Sequence, residues 1–243
     1  MRMKNKALAT GVALALAGNV VQAQEGWSGG LEAGVNLVSG NTDEKTITSQ
    51  MDVTRDWSEW RQNVLFNTRY SEQDGQRTAE RYQAATQLDY KFTDHDYVFV
   101  RGRYDDDSFD GFEFQASVTA GYGRRLWSLD ENYFDLSVGG GYRYSRFEQP
   151  DPEDGRRREE PIGRLAGDFR YRLAPTATFQ QKAETEIGLD NSEYVARSVT
   201  SLQANLMASL ALRLSYTVER ESDVPEGTKN TDTITSLNLL YSF

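Results

Sequence analysis

The chain has 243 residues, no cysteine and a formal charge of −10, from 27 Lys and Arg against 37 Asp and Glu. Without cysteine there is neither a disulfide framework nor thiol chemistry, and the acidic balance argues against a nucleic-acid partner, which would want a basic surface. Hydrophobic content of 38% with 12% aromatic residues suits a chain in which half the strand residues face water, and no cofactor is expected.

The N-terminus reads as an export signal. Arg2, Lys4 and Lys6 make a basic start, Ala7 to Gly18 is a short apolar run, and Val21 and Ala23 precede a cut that leaves Gln24 first. This layout predicts a cleaved secretory signal peptide over residues 1–23. The run is too short to span a membrane as a helix, and no other stretch approaches the roughly 20 apolar residues needed.

Twelve segments of alternating polarity follow, each turning successive side chains to opposite faces. The first six are Trp27–Val38, Glu44–Asp56, Trp60–Ser71, Thr78–Phe92, Tyr97–Asp106 and Phe112–Leu126. The rest are Tyr133–Phe147, Ile162–Leu173, Ala177–Leu189, Tyr194–Leu206, Leu210–Glu219 and Thr231–Phe243. In the seventh, Phe134, Leu136, Val138, Tyr142 and Tyr144 oppose Asp135, Ser137 and Arg143. Every second connection is a short turn, such as Thr93–Asp96 or Ala174–Thr176. The others are longer and more charged, including polar loops over Glu72–Arg77 and Glu148–Pro161, the latter the longest. Short turns on one side and longer loops on the other mark outer-membrane barrels, and an even strand number puts both termini inside. No strict internal repeat is visible, which disfavours a propeller or solenoid.

The last segment carries Thr233, Thr235, Leu237, Leu239, Tyr241 and Phe243 on one face and Asp232, Ile234, Ser236, Asn238, Leu240 and Ser242 on the other. A chain that ends on an aromatic residue inside such a strand resembles the C-terminal assembly signature of outer-membrane barrels. Tyr241 and Phe243 would be that signal, and the barrel-assembly machinery its reader. A soluble, lipocalin-like barrel has the same periodicity. The polar faces decide against it, because their many arginines line water at far less cost than they fill a core. Aromatic residues near strand ends, with Val, Leu and Ala between, fit the girdles of a lipid-facing belt. The expectation is an all-β protein: one transmembrane antiparallel β-barrel of about twelve strands over residues 24–243. It would lie in the outer membrane of a Gram-negative bacterium, against lipid and lipopolysaccharide.

Several short patterns recur in a telling order: Gly26-Trp27-Ser28-Gly29, Ser39-Gly40-Asn41-Thr42, Thr78-Ala79-Glu80-Arg81, the run from Tyr104 through Asp107 to Phe112, and Gly139-Gly140-Gly141-Tyr142-Arg143. Together they resemble the salt-induced outer-membrane protein family, also catalogued as a domain of unknown function, over nearly all of the mature chain. The resemblance implies an outer-membrane location and a link to salt stress, with no functional residue to carry over.

Chemistry is sparse. The single histidine, His95, lies in a Thr-Asp-His-Asp turn with no nucleophile set beside it, so no enzyme and no catalytic residue are expected. Asp105, Asp106, Asp107 and Asp110 cluster where a strand meets a loop. Hard cations take several carboxylate oxygens, but the spacing departs from an EF-hand, so a weak loop cation site is the most it offers and no dedicated metal is expected. Arg156, Arg157 and Arg158, in the longest loop, offer contacts to lipopolysaccharide phosphates, against the plainer reading of a solvated charge block.

The inward parity carries Arg61, Arg69, Arg81, Arg101, Arg103, Arg143, Arg164, Arg170 and Arg172 with Glu113, Asp135 and Asp168. Lys91, Lys182, Arg197, Arg213, Glu184 and Glu219 share it. Twelve strands lie between about eight, which side chains fill, and about 16, which leave an aqueous channel. Two expectations follow. One is a narrow porin-like channel for small hydrophilic, anion-leaning solutes that pass an Arg-rich constriction. The alternative is a plugged envelope-stress barrel whose lumen charges pair with one another and whose acidic loops bind lipopolysaccharide or divalent cations.

Overall fold

The computed structural model describes residues 26–38, 44–107, 112–151, 155–222 and 230–243. The expected signal peptide and Asp110 lie outside them. The first six strands are β1 (Trp27–Val38), β2 (Glu44–Trp57), β3 (Trp60–Gln73), β4 (Gln76–Lys91), β5 (Asp96–Asp107) and β6 (Phe112–Leu129). The others are β7 (Asn132–Asp151), β8 (Gly155–Ala174), β9 (Ala177–Gly188), β10 (Tyr194–Asn205), β11 (Leu210–Glu221) and β12 (Thr231–Ser242). Each pairs antiparallel with its chain neighbours, and β12 closes on β1 to complete the barrel. Closure lets every ladder find a partner strand, which lipid demands of any β-structure that crosses it.

Burial is inverted relative to a soluble protein. Outward Val118 is 61% exposed and Val138 57%, whereas inward Thr119 is 1% and Asp89 2%. Aromatic rings gather toward the two rims. Trp60 lies 5.0 Å from Tyr90 near the short turns, and Phe112 4.9 Å from Phe147 toward the long connections. A ring with one polar end suits the water–lipid boundary, and branched aliphatics suit the span between.

Two loops expected from composition are strand instead. Glu72–Arg77 contracts to a two-residue turn in which Asp74 (φ 50°) and Gly75 (φ 76°) are both left-handed, the geometry that best matches strand twist in a tight hairpin. Most of Glu148–Pro161 belongs to β7 and β8, each 20 residues long, with Arg143 facing Glu160 and Tyr144 facing Glu159. Charged residues mark a loop only where a strand there would need an apolar face. Beyond the lipid belt both faces meet water, and a charged hairpin is stable.

Some inward residues are large and apolar. Tyr97 and Phe99 are buried inside the barrel, and the wall facing them is glycine. A Cβ added to Gly123 would lie 2.1 Å from Cζ of Tyr97, and one added to Gly139 would lie 3.0 Å from Cζ of Phe99. The rings fill the room the glycines leave.

The closing seam is the shortest ladder. β1 and β12 pair only over Gly30–Ala33 with Leu239–Ser242, extended by reciprocal backbone bonds of 3.0 and 3.1 Å between Gly29 and Phe243. The neighbouring β1–β2 ladder runs from Trp27–Arg55 to Val38–Glu44.

Two expected outcomes test this arrangement. In proteoliposomes, cysteines at Val138 or Leu214 resist a water-soluble thiol reagent, while one at Ser215 reacts; the reverse pattern would mean a soluble barrel. Gly123→Val, which drives a branched side chain into the Tyr97 ring, lowers stability in urea unfolding by about 1–3 kcal/mol.

Candidate functional site

The barrel encloses a cavity of about 770 Å³. Ten basic and seven acidic side chains line it, an excess of three positive charges inside a chain whose net charge is −10. Strand alternation explains the lining: the residues sit at every second position, facing each other rather than lipid.

Near the short-turn end, Arg61 on β3 bonds Asp89 on β4 at 2.7 Å and reaches Asp135 on β7 at 3.8 Å. Arg125 grips both oxygens of Asp135 at 2.7 and 2.8 Å. Lys182 on β9 lies 3.7 Å from Asp52 on β2 and 3.9 Å from Asp168 on β8, so it ties distant walls together. Arg213 bonds Glu32, a contact that links β11 to β1 behind the closing strand.

A second, denser layer lies toward the long connections. Glu184 on β9 takes Arg101 and Arg103 at 3.4 Å each and Arg164 at 3.0 Å. Asp105 takes Arg103 at 2.5 Å and Arg81 at 3.2 Å. Glu219 on β11 takes Arg81 of β4 at 2.5 Å and Arg197 at 3.0 Å. Arg197 also donates to Gln83 at 2.7 Å, which joins β10 to the diametrically opposite β4. These contacts cross the lumen itself. Five guanidinium groups share three carboxylates, so the layer keeps surplus positive charge.

The arginines also stack. Arg61 lies 5.0 Å above the Tyr97 ring and Arg164 5.6 Å above Phe99. Cation–π contact holds each planar head against the wall it leaves.

The expected site residues divide into groups. Arg61, Arg69, Arg81, Arg101, Arg164, Arg170, Asp135 and Asp168 line the main cavity, and Arg103 and Arg143 line a small adjoining pocket. Arg172 does not reach the lumen: it pairs with Glu131 at the turn rim, next to a register shift in β8. Glu113 is displaced by the bulge between Phe112 and Phe114 and bonds Arg146 at 2.7 Å at the opposite rim. Lys91 sits at the turn rim against Asp56.

The acidic cluster is divided by strand geometry. β5 continues to Asp107, so Asp105 turns into the barrel and is committed to two arginines, while Asp106 turns outward. Among the described residues no group of His, Cys, Asp or Glu could hold a metal ion. His95 lies in the β4–β5 turn, where its backbone N–H donates to Thr93 Oγ1 at 3.2 Å. Arg158 bonds Glu193 at 2.7 Å and lies over Phe147, while Arg156 and Arg157 are exposed on the long hairpin. Tyr241 faces outward, and the Phe243 ring lies over Gly29, where an added Cβ would be 2.8 Å from Cζ.

Two charged lumen residues were missed. Arg125 shares the inward parity of Gln115 and Thr119, a signal strong enough to find it. Glu160, buried at 4% exposure and 2.8 Å from Arg143, falls in the stretch read as loop.

A family model described as "Protein of unknown function, DUF481" matches residues 31–243. The chain belongs to this family. It is 27% identical over 226 residues to the uncharacterized protein YdiY of Escherichia coli (strain K12), which covers 90% of this chain and 84% of that one. Among solved structures it is similar to the COG4313 outer membrane channel from Pseudomonas putida F1 (TM-score 0.51, 11% identity, 93% of this chain and 98% of that one). It is also similar to the NanC porin (TM-score 0.50, 12% identity, 89% and 96%). At such identities the likeness concerns fold, and the fold is that of bacterial outer-membrane barrels.

Glu184 holds three arginines, so Glu184→Gln, equal in size but uncharged, takes the carboxylate from Arg101 and Arg164 and leaves Arg103 with Asp105 alone. Loss of these charge-assisted bonds lowers unfolding free energy in vesicles by about 2 kcal/mol, and added salt narrows the difference from the parent by screening the exposed repulsion.

Proposed function

We propose that this outer-membrane barrel is a narrow, non-enzymatic channel for small hydrophilic solutes, with anions favoured. The observation that carries this reading is the cavity itself: about 770 Å³ inside a lumen whose wall charges exceed neutrality on the positive side. Preorganised wall charges set selectivity by lowering the cost of moving an ion of opposite sign out of bulk water. Cross-lumen bonds such as Arg81–Glu219 and Lys182–Asp52 keep the path narrow, so only solutes that slip between long side chains pass. The fold-level likeness to outer-membrane channels supports the reading without naming a solute.

The same bonds favour a second reading, a barrel closed by its own ion pairs whose exposed arginine hairpin meets lipopolysaccharide. Single-channel recording of the refolded mature protein in planar bilayers, across a salt gradient, separates the two. Small steady steps with a reversal potential on the anion side are the expected outcome. A folded barrel that stays silent across salt concentrations would overturn the channel and leave the closed barrel.

A further inference from the structure

Two arginines of the cavity wall, Arg69 on β3 and Arg170 on β8, form no ion pair among the described residues, and Arg69 is the one set directly beside another arginine. Arg69 on β3 faces Thr48 of β2 and Arg81 of β4 on the inner wall. Among the described residues it makes no ion pair and no side-chain hydrogen bond. Its neighbours are committed: Arg81 spans Glu219 and Asp105, Thr48 donates to Asn238 at 3.4 Å, and Gln83 donates to Asp105 at 2.8 Å. Like charges directly opposite on a ladder repel. Arg69 therefore adds positive potential where a cation already stands, and among the described residues no carboxylate pairs with it.

Its geometry is specific. The Nε atom is buried without a partner, while the terminal nitrogens are not among the buried unpartnered atoms and Arg69 lines the cavity. The guanidinium thus presents its outer edge, two parallel N–H groups, to the lumen. That edge matches the two oxygens of a carboxylate. At this point of the wall only Arg69 is uncommitted, so one negative charge is neutralised; a dianion would have to draw Arg81 from Glu219.

We propose that Arg69 is the solute-binding residue of the lumen and that its ligand is a small monocarboxylate anion, held end-on. This rests on the channel reading only in requiring that solute reach the lumen.

The test is isothermal titration calorimetry of the refolded full barrel at low ionic strength, with sodium propionate as probe and sodium chloride as the spherical control. Propionate is expected to bind at least tenfold more tightly than chloride, and Arg69→Gln to abolish the signal. Arg69→Lys keeps the charge but removes the fork, and is expected to lose most of the preference. Equal binding of propionate and chloride, or propionate binding unchanged in Arg69→Gln, overturns the proposal. Should Arg69→Gln fail to fold, unchanged preference in Arg69→Lys overturns it as well. Bilayer recording separates the two readings. A silent barrel that binds propionate through Arg69 ends the channel and keeps the site; a conducting barrel without that binding ends the site and keeps the channel.

Discussion

A backbone N–H inside a bilayer has no water to turn to, and the rest of this molecule depends on that constraint. It forces the strands into a ring, because an open sheet would leave an edge in hydrocarbon. Once the ring closes, side-chain alternation has one degree of freedom left: which parity meets lipid. Branched aliphatics such as Val118 and Val138 take that side. Everything polar in the strands is then driven inward, where the lumen must accommodate it.

That accommodation is electrostatic. Arginine and carboxylate heads inside a narrow barrel lose part of their hydration, and a pair recovers the loss only when geometry is good and spare donors are used. The layer around Glu184, Asp105 and Glu219 meets this by sharing: each carboxylate serves two or three guanidinium groups, and one of those, Arg164, also lies on the Phe99 ring. Sharing leaves more cations than anions. Surplus positive charge is thus a product of how the lumen is packed, and it gives the cavity its character.

Much of this was legible from residue order. β1 runs from Trp27 to Val38, as alternation predicts, and the twelve strands, their antiparallel order and the lipid-facing parity follow from period-two patterning. Failures came where the environment changes along one strand. Above the lipid belt, the charges in β7 and β8 no longer signal a loop, and Glu160 was lost with them. Near the rims, the bulge at Phe112–Phe114 moved Glu113 away from the position parity assigned, and Arg172, at the turn end of β8, pairs with Glu131 at the rim instead of entering the lumen. The cross-lumen contacts were beyond reach for another reason. Arg81 and Glu219 are 138 residues apart in the chain, and their meeting depends on barrel diameter and strand stagger rather than on any local pattern.

The seam has a mechanical meaning. Eleven of the twelve junctions are long ladders that resist being pulled apart, while β1 and β12 hold together over a few residues at one end only, with Gly34 and Asn238 just beyond the last pair. Stiffness around the ring is therefore uneven. A load that widens the barrel is taken up along this line first, and the opposite wall keeps its spacing. The molecule is less a rigid tube than a sprung cuff with one short clasp.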